Sequence, residues 1–402
     1  MKILICHNYY INRGGEDVIF EYEADILQSK GYDVVLYCKH NKSINSFIKK
    51  IGVFLNFFFS FNTFREVKKI IKKEKPDVVH IHNIFSLISP SIYFVLKRYK
   101  IPIIQTIHNF RFFCSNGLCL RNGKICTKCL ENRFSNIFNI CNNKKLYDFI
   151  LSCVIYFIRK FRIYDRFIDY FIVPSIFVRN KMIECGLSGN KIFIKRHSLN
   201  SKKIFIKENH YKINDDDKYF LFIGRLSEEK GVTDLIKIFK EIRKIKLKIL
   251  GDGPLISSIS KLIEHDNLNN IKMFGYAKGN LKNKLISDGL AVIIPSICFE
   301  NCPLVLIESL MMGTPVIVNN IGALPEFISN GYNGFVYNNL KQLEEIILKL
   351  YSMNQSDRCK MRENCQKSFF EFFNEDKNFK IIDGIYKKLK NKRIKDTQVL
   401  HG

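Results

Sequence analysis

The sequence predicts an α/β protein built as two Rossmann-like, doubly wound domains facing across a cleft, and three observations predict it. Short runs rich in Ile, Val, Leu and Phe alternate with longer segments of helical periodicity. These runs are apolar throughout rather than alternating, which marks strands buried on both faces of a parallel sheet. The alternation stops at a polar stretch, residues 200–217, and then starts again, in a chain whose 402 residues exceed what one core usually serves.

Taken in order, the first half offers strands at Ile3–Cys6, Val34–Cys38, Val78–His82, Ile103–His108 and Tyr170–Pro174. The second half offers Tyr219–Gly224, Leu247–Leu250, Ile271–Phe274, Ala291–Pro295 and Val316–Asn319. Helical patterns such as Glu16–Lys30, Val232–Arg243 and Leu340–Met353 lie between them. This divides the chain into an N-terminal domain (1–199) with a cysteine-rich insertion near 111–145, a linker (200–217) and a C-terminal domain (218–375). A last helix and basic tail (376–402) is expected to return to the first domain. Asp215-Asp216-Asp217 falls in the linker and reads as a solvated turn.

Charge is the unusual bulk property. The net charge is +26, and residues 1–200 carry 32 Lys and Arg against 14 Asp and Glu, so the excess sits in the N-terminal half. Such a field favours an anionic partner. Nucleic acid is not the expected one, because the charge is spread over helices without a stacking module or finger spacing. An anionic membrane surface fits better. Ile51–Phe61 and Phe149–Ile158 are short aromatic-rich stretches with lysines and arginines nearby, suited either to a membrane interface or to a core-facing helix. No secretory signal pattern opens the chain, and no uncharged apolar run reaches 18 residues. With an odd thirteen cysteines, the expected location is the cytoplasm, peripheral on the inner face of the membrane.

In doubly wound sheets ligands bind beyond the carboxyl ends of the strands, so the chemistry is sought there. After the first strand, Gly14 and Gly15 open a helix and allow close backbone approach or positive φ beside free N–H groups. In the second half Gly224-Arg225-Leu226-Ser227-Glu228-Glu229-Lys230-Gly231 places a guanidinium fork and an ammonium where a diphosphate could sit. Gly253 lies in a tight turn after the next strand, and Phe274 and Tyr276 follow another as candidates to hold a nucleobase. The most informative segment is Pro295–Ile317. Glu300 sits in a loop, Pro303 suits the first turn of a helix, and the N–H groups near Pro303, Leu304 and Val305 face an anion site. Glu308 follows about one and a half turns on, so two carboxylates flank one phosphate-sized position, and carboxylates accept from sugar hydroxyls.

Glu300–Glu308, the GRLSEEKG loop and the GGEDV loop together resemble glycosyltransferase family four, retaining enzymes of GT-B fold. The segments PDVVHIHN (76–83) and TIHNF (106–110) are similar to that family's N-domain strand ends, so the likeness covers most of the chain. It implies a C-terminal domain that binds a nucleotide-diphosphate sugar and an N-terminal domain that binds the acceptor. It further implies that Glu308 holds the ribose and Glu300 the donor sugar, that Arg225 and Lys230 hold the diphosphate, and that His108 lies beside the transferring sugar. Gly14 and Gly15 would admit donor phosphate and acceptor. Asn301, Cys302 and Pro303 stand where many members carry glycines, which leaves donor choice open. The expected reaction is hexosyl transfer with retention to a glycan or lipid-linked acceptor in cell-surface polysaccharide synthesis. Two basic side chains stabilise the leaving diphosphate, with no cofactor required for catalysis. A nucleotide-sugar epimerase of the same fold, or a basic nucleic-acid-binding protein, are the alternatives.

One cluster stands apart from this scheme. Cys114, Cys126, Cys129 and Cys141 recur with eleven, two and eleven residues between them. The paired spacing suits tetrahedral thiolate ligation, so a structural zinc is one expectation and free thiols the other. His80 and His82 share one strand face and read as site-lining or packed residues.

Overall fold

The computed structural model describes residues 1–11, 13–41, 59–85, 87–132, 134–135, 141, 145–199 and 218–398. The chain forms two compact units: Met1–Cys119 with Cys126–His197 and Asp376–Gly402, and Leu120–Ile125 with Ser198–Glu375.

The N-terminal unit is built on β1 (Lys2–Tyr9), β2 (Asp33–His40), β3 (Val78–Ile81) and β4 (Ile103–Thr106). A two-stranded hairpin, β5 (Leu120–Arg121) and β6 (Lys124–Ile125), precedes β7 (Tyr170–Val173) and β8 (Ile192–Ile194). The six main strands are all parallel in the order β2-β1-β3-β4-β7-β8. The C-terminal unit repeats the plan with β9 (Tyr219–Ile223), β10 (Lys246–Leu250), β11 (Ile271–Met273), β12 (Ala291–Ile294), β13 (Val316–Asn319) and β14 (Gly334–Tyr337). Its order is β11-β10-β9-β12-β13-β14, again parallel throughout. Strand order reverses direction between β1 and β3 in one sheet and between β9 and β12 in the other. At such a switch point neighbouring connections leave on opposite faces and open a crevice beyond the strand ends. The sheet topology therefore nominates the loops after β1, β3, β9 and β12.

The apolar runs behave as their continuity dictates: Ile3, Ile5, Val78, Phe220, Leu247 and Ile293 are buried on their sheets. The helix Glu375–Gln398 supplies Ile382, Ile385, Tyr386 and Leu389 to the N-terminal core. Its Arg393 donates to the carbonyl of Pro76 at 2.6 Å, beneath β3. Of the two aromatic stretches, residues 51–58 lie outside the described part, while Phe149–Ile158 runs through the helix Lys145–Lys160. There Leu151, Val154, Ile155 and Ile158 are buried, and Phe149 and Phe157 remain exposed on the opposite side. Among the described residues no helix is long and apolar enough to cross a membrane.

Candidate functional site

In the C-terminal unit the loops after β9 and β12 are stitched together. Ile297 N–H donates to the Glu229 carbonyl at 2.9 Å. Gly231 makes the approach possible: at φ +69° a Cβ there would lie 2.0 Å from the Pro295 oxygen. As a result Lys230 Nζ reaches Glu300 Oε1 at 2.5 Å, and the Ser296 hydroxyl donates to the same oxygen at 2.7 Å. Burial would push the Glu300 carboxyl up, but Lys230 and then Ser296 outweigh it and hold it below its ordinary value. Burial likewise opposes the Lys230 ammonium, and Glu300 outweighs that to raise it. Gly322, at φ +63°, lets the next loop pass against Glu300, where a Cβ would stand 2.7 Å from its backbone N and O.

Glu308 lies on the helix Leu304–Met311 and pairs with Lys282 at 2.5 Å. Lys282 was not singled out in the sequence, because it lies 26 residues away on the helix Asn280–Ser287. Pro303 is the N-cap rather than the first helical residue: its ψ of 137° is extended, and Leu304 begins the helix. The sequence expectation is thus one position off, because Pro fixes φ but leaves ψ free. Asn301 and Cys302 sit between Glu300 and this cap, with Cys302 buried, and Val305 follows in the helix. Arg225 is exposed, its carbonyl accepts from Ser227 N–H at 3.0 Å, and its guanidinium makes no hydrogen bond or ion pair with the described residues. Gly251 and Gly253 let the loops after β9 and β10 meet: a Cβ on Gly251 would lie 1.8 Å from the Gly224 carbonyl oxygen and one on Gly253 2.4 Å from that of Leu226, while Gly224 itself has room for a side chain. Phe274 lies just past β11, within 5.2 Å of the Lys272 ammonium, and Tyr276 is largely exposed.

The N-terminal unit fills its strand ends differently. Neither Gly14 nor Gly15 adopts a positive φ, contrary to the conformational freedom expected of that pair. Gly14 N–H is not directed at a ligand but donates to Asp17 Oδ2 at 2.8 Å, and Asp17 Oδ1 meets His7 Nε2 at 2.8 Å. Asp17 thus caps the helix Gly15–Ser29 with the carboxylate that a glycine N-cap lacks. Behind it, His82 Nδ1 meets His108 Nε2 at 2.9 Å, and His80 bonds Tyr386 and Thr106 at 2.7 Å each. Lys195 Nζ lies 2.6 Å from Glu23 Oε2. Burial lowers His80, His82, His108 and His197, His80 to about 4 and His197 to about 3, so these four are neutral near pH 7. Glu23 is the ionised partner. Burial would raise it, but Lys195 and His80 prevail and hold it at about 2. At the rim, Tyr10 donates to Glu16 at 2.8 Å and receives Arg111 at 2.7 Å, with Asn109 bonding both Tyr10 and Glu16. Burial raises the Glu16 carboxyl despite Arg111. Glu16 lies in the GGEDV loop but was given no role, and Glu23, Arg111 and Lys195 carried no motif, so only their three-dimensional company marks them.

The cysteines divide. Cys114 and Cys119 share a thiol hydrogen bond that draws Cys114 down to about 7. Cys129 is buried, while Cys126 and Cys141 are half-exposed. Among the described residues the one group of three metal-binding side chains whose ligand atoms all lie within 4.8 Å of one another is Glu23, His80 and His82, so the cysteine sulfurs are not at ligation spacing.

Comparison with known proteins decides the family. The model for Glycosyltransferase Family 4 matches residues 13–194, and that for Glycosyl transferases group 1 matches residues 203–368. The chain belongs to glycosyltransferase family 4. This glycosyltransferase is 25% identical to an uncharacterised glycosyltransferase of Methanocaldococcus jannaschii, over 97% of its own length and 99% of the relative's. It is also 25% identical to an alpha-monoglucosyldiacylglycerol synthase of Acholeplasma laidlawii, covering 73% of this chain and 70% of that one. In fold it matches Anabaena HepE, solved in complex with UDP, with a TM-score of 0.68 at 14% identity over 96% of this chain and 100% of that one. The fold is GT-B.

Proposed function

We propose that this glycosyltransferase moves a hexosyl group from a nucleotide-diphosphate sugar, with retention of configuration, to a glycan or lipid-linked acceptor in cell-surface polysaccharide or glycolipid synthesis. The observation that carries the reading is the Lys230–Glu300–Ser296 cluster at the β9/β12 switch point, with the exposed guanidinium of Arg225 on the same loop as Lys230. Glu300 uses one oxygen for Lys230 and Ser296, which leaves the other for donor sugar hydroxyls. Lys230, with three donors, bridges Glu300 to the diphosphate, and Arg225 supplies a bidentate partner. Glu308, held by Lys282, takes the ribose hydroxyls. Phe274, Tyr276, Gly224 and Gly253 line the nucleoside side, and Pro303, Leu304 and Val305 lie at the helix N-terminus that faces the phosphates. As the diphosphate departs, these cations stabilise its growing charge, and the acceptor hydroxyl arrives on the same face. His108, Gly14 and Gly15 serve the sugar and acceptor side.

The lipid-synthase relative and the basic first half support an acceptor presented at an anionic membrane surface. Exposed Phe149, Phe157 and Phe161 supply an apolar footing beside Lys160 and Arg162. Sedimentation with anionic vesicles at low salt tests this, and protein left wholly in the supernatant would sink it. A structural zinc on Cys114, Cys126, Cys129 and Cys141 stays a proposal: Cys129 lies within electrostatic reach of the other three. One equivalent of zinc in protein purified without chelator would support it, and under a tenth of an equivalent would sink it. For the transfer itself, Arg225→Ala assayed with UDP-, GDP- and ADP-sugars is the direct test, and an unchanged rate would remove the phosphate clamp.

A further inference from the structure

The first aromatic stretch enters the described part at Phe59, and its last residue, Phe61, opens the helix Phe61–Glu74. Ser60 caps that helix, its hydroxyl accepting from Thr63 N–H at 3.2 Å. Ser60 N–H donates to the Ser89 hydroxyl at 3.1 Å, and the Thr63 hydroxyl donates to the Leu87 carbonyl at 3.3 Å. The aromatic end of the helix therefore stands beside the loop after β3. Thr63, Val67 and Ile71 form its buried face.

The opposite face is cationic. Phe61, Arg65, Lys68, Lys69 and Lys72 recur at i, i+4, i+7, i+8 and i+11, which puts them in one stripe, and all five are exposed. None of the four cations forms an ion pair with a described residue, while Glu66 is engaged by Tyr37 and Lys39, and Glu74 by Lys2. The patch continues onto the neighbouring helix Ser91–Arg98, which exposes Phe94, Lys97 and Arg98. Phe59 bridges the two helices, its ring centroid 5.1 Å from that of Phe61 and 6.1 Å from that of Phe94. Phe94 in turn meets Phe167 edge-on at 5.0 Å. Phe167 ends the short helix Ile163–Phe167, and the exposed Phe161 and Arg162 lead into that helix.

A second copy of the chain on this face would set cations against cations. A single-stranded nucleic acid needs ring faces laid flat along a groove. These rings instead turn edges to one another, at 67° between Phe59 and Phe61 and 90° between Phe94 and Phe167, and close into an apolar clump. An anionic bilayer answers both halves of the face, with phosphates for the cations and the acyl boundary for the clump. Among the described residues no helix is long and apolar enough to cross it, so the contact is interfacial. We infer that the helices Phe61–Glu74 and Ser91–Arg98 form one docking face for an anionic lipid bilayer, continuous with Phe161 and Arg162. This rests on the membrane reading proposed above, and it moves the main attachment from the helix Lys145–Lys160 to two helices beside the loop after β3. A bilayer docked there favours an acceptor that is itself anchored in the membrane over a soluble glycan.

The test is sedimentation of the full chain at low salt with vesicles of three parts phosphatidylcholine to one part phosphatidylglycerol. Wild-type protein should pellet with these vesicles and not with phosphatidylcholine alone. Arg65→Gln, Lys68→Gln, Lys69→Gln and Lys72→Gln combined should weaken binding several hundred-fold, at about fivefold for each cation lost. Glutamine keeps the helix propensity, and circular dichroism confirms the fold. Phe61→Ala should weaken binding about tenfold, because its ring is 68% exposed and free to enter the acyl boundary. A folded fourfold variant that pellets like wild type removes these helices from the contact. If Phe157→Ala with Phe161→Ala then releases the protein, the earlier footing stands without them. Wild-type protein left in the supernatant overturns both readings. If excess single-stranded oligonucleotide strips the protein from vesicles while Phe61→Ala binds like wild type, the face is a polyanion site and the lipid assignment falls. Donor hydrolysis measured without vesicles stays unchanged in the fourfold variant, because its residues belong to the other unit from Glu300. If wild-type protein turns over no donor, the transfer reading fails while sedimentation still decides the docking.

Discussion

At the carboxyl ends of β3 and β4 the N-terminal unit buries neutral histidines around an ionised glutamate, whereas at the ends of β9 and β12 the C-terminal unit sets lysine–glutamate pairs at the surface of an apolar core. The described residues of the C-terminal unit hold one histidine, His265, and its side chain is 85% exposed. The same parallel topology thus carries two kinds of polar chemistry. In one, desolvation keeps the imidazoles uncharged; in the other, full charges sit where an anionic ligand could meet them. The first kind makes stability sensitive to acid, and the second makes function sensitive to removal of a charge.

The largest expected effect separates the units by pH. Unfolded histidines titrate near 6.5, while His80 holds its proton off until about 4 and His197 until about 3. Below pH 6.5 the unfolded chain therefore binds protons that the folded one refuses, and stability falls as pH drops toward those values. His80 alone accounts for about 3 kcal/mol. Glu23, held at about 2, adds a loss in the same direction below its unfolded value near 4.3. Glu300 is also depressed, so the C-terminal unit loses stability only below the ordinary carboxylate range. Hydrogen exchange with mass spectrometry should show peptides of the N-terminal sheet opening between pH 6.5 and 4.5 while β9 and β12 stay protected. Equal loss of protection in both units would break the comparison.

Next in size, Glu300→Gln should leave the fold intact and cut transfer by about 10²–10³-fold, the usual cost of losing one preorganised polar group at the reacting centre. Steady-state rates with thermal melting as a control measure it. Gly231→Ala should cost about 2 kcal/mol of C-terminal stability, because a Cβ there meets the Pro295 oxygen at a positive φ. Denaturant titration followed by exchange in β12 peptides reads that loss, and a neutral result would show the two loops are free to part. Smallest is Lys282→Ala. Its ion pair with Glu308 is partly exposed, 22% and 17%, so about 0.5–1 kcal/mol is expected. Calorimetric titration with UDP should register a loss of affinity of no more than about fivefold.

Much of the architecture was legible because a strand buried on both faces must be apolar throughout, and Ala291–Ile294 or Ile103–Thr106 can hardly be read otherwise. The loop–helix setting of Glu300 and Glu308 followed from the same reasoning, since Pro303 and Gly313 bracket a short helix. The Gly14-Gly15 turn misled: its pattern suggests bare N–H groups, yet Asp17, three residues on, had the geometry to fill one of them. Lys282 and Lys195 were silent because a lone lysine on a basic chain carries no pattern.

Sequence alone determined the sheet class, the strand ends where chemistry collects, and the carboxylate pair on the loop and helix after β12, because these depend on local periodicity and turn chemistry. Tertiary structure decided which charges meet. Lys230 meets Glu300 across 70 residues and Lys195 meets Glu23 across 172, and pairing at that distance is set by strand order, which no local pattern encodes. It also decided the protonation of the histidines, since burial, rather than residue type, keeps His80, His82, His108 and His197 uncharged.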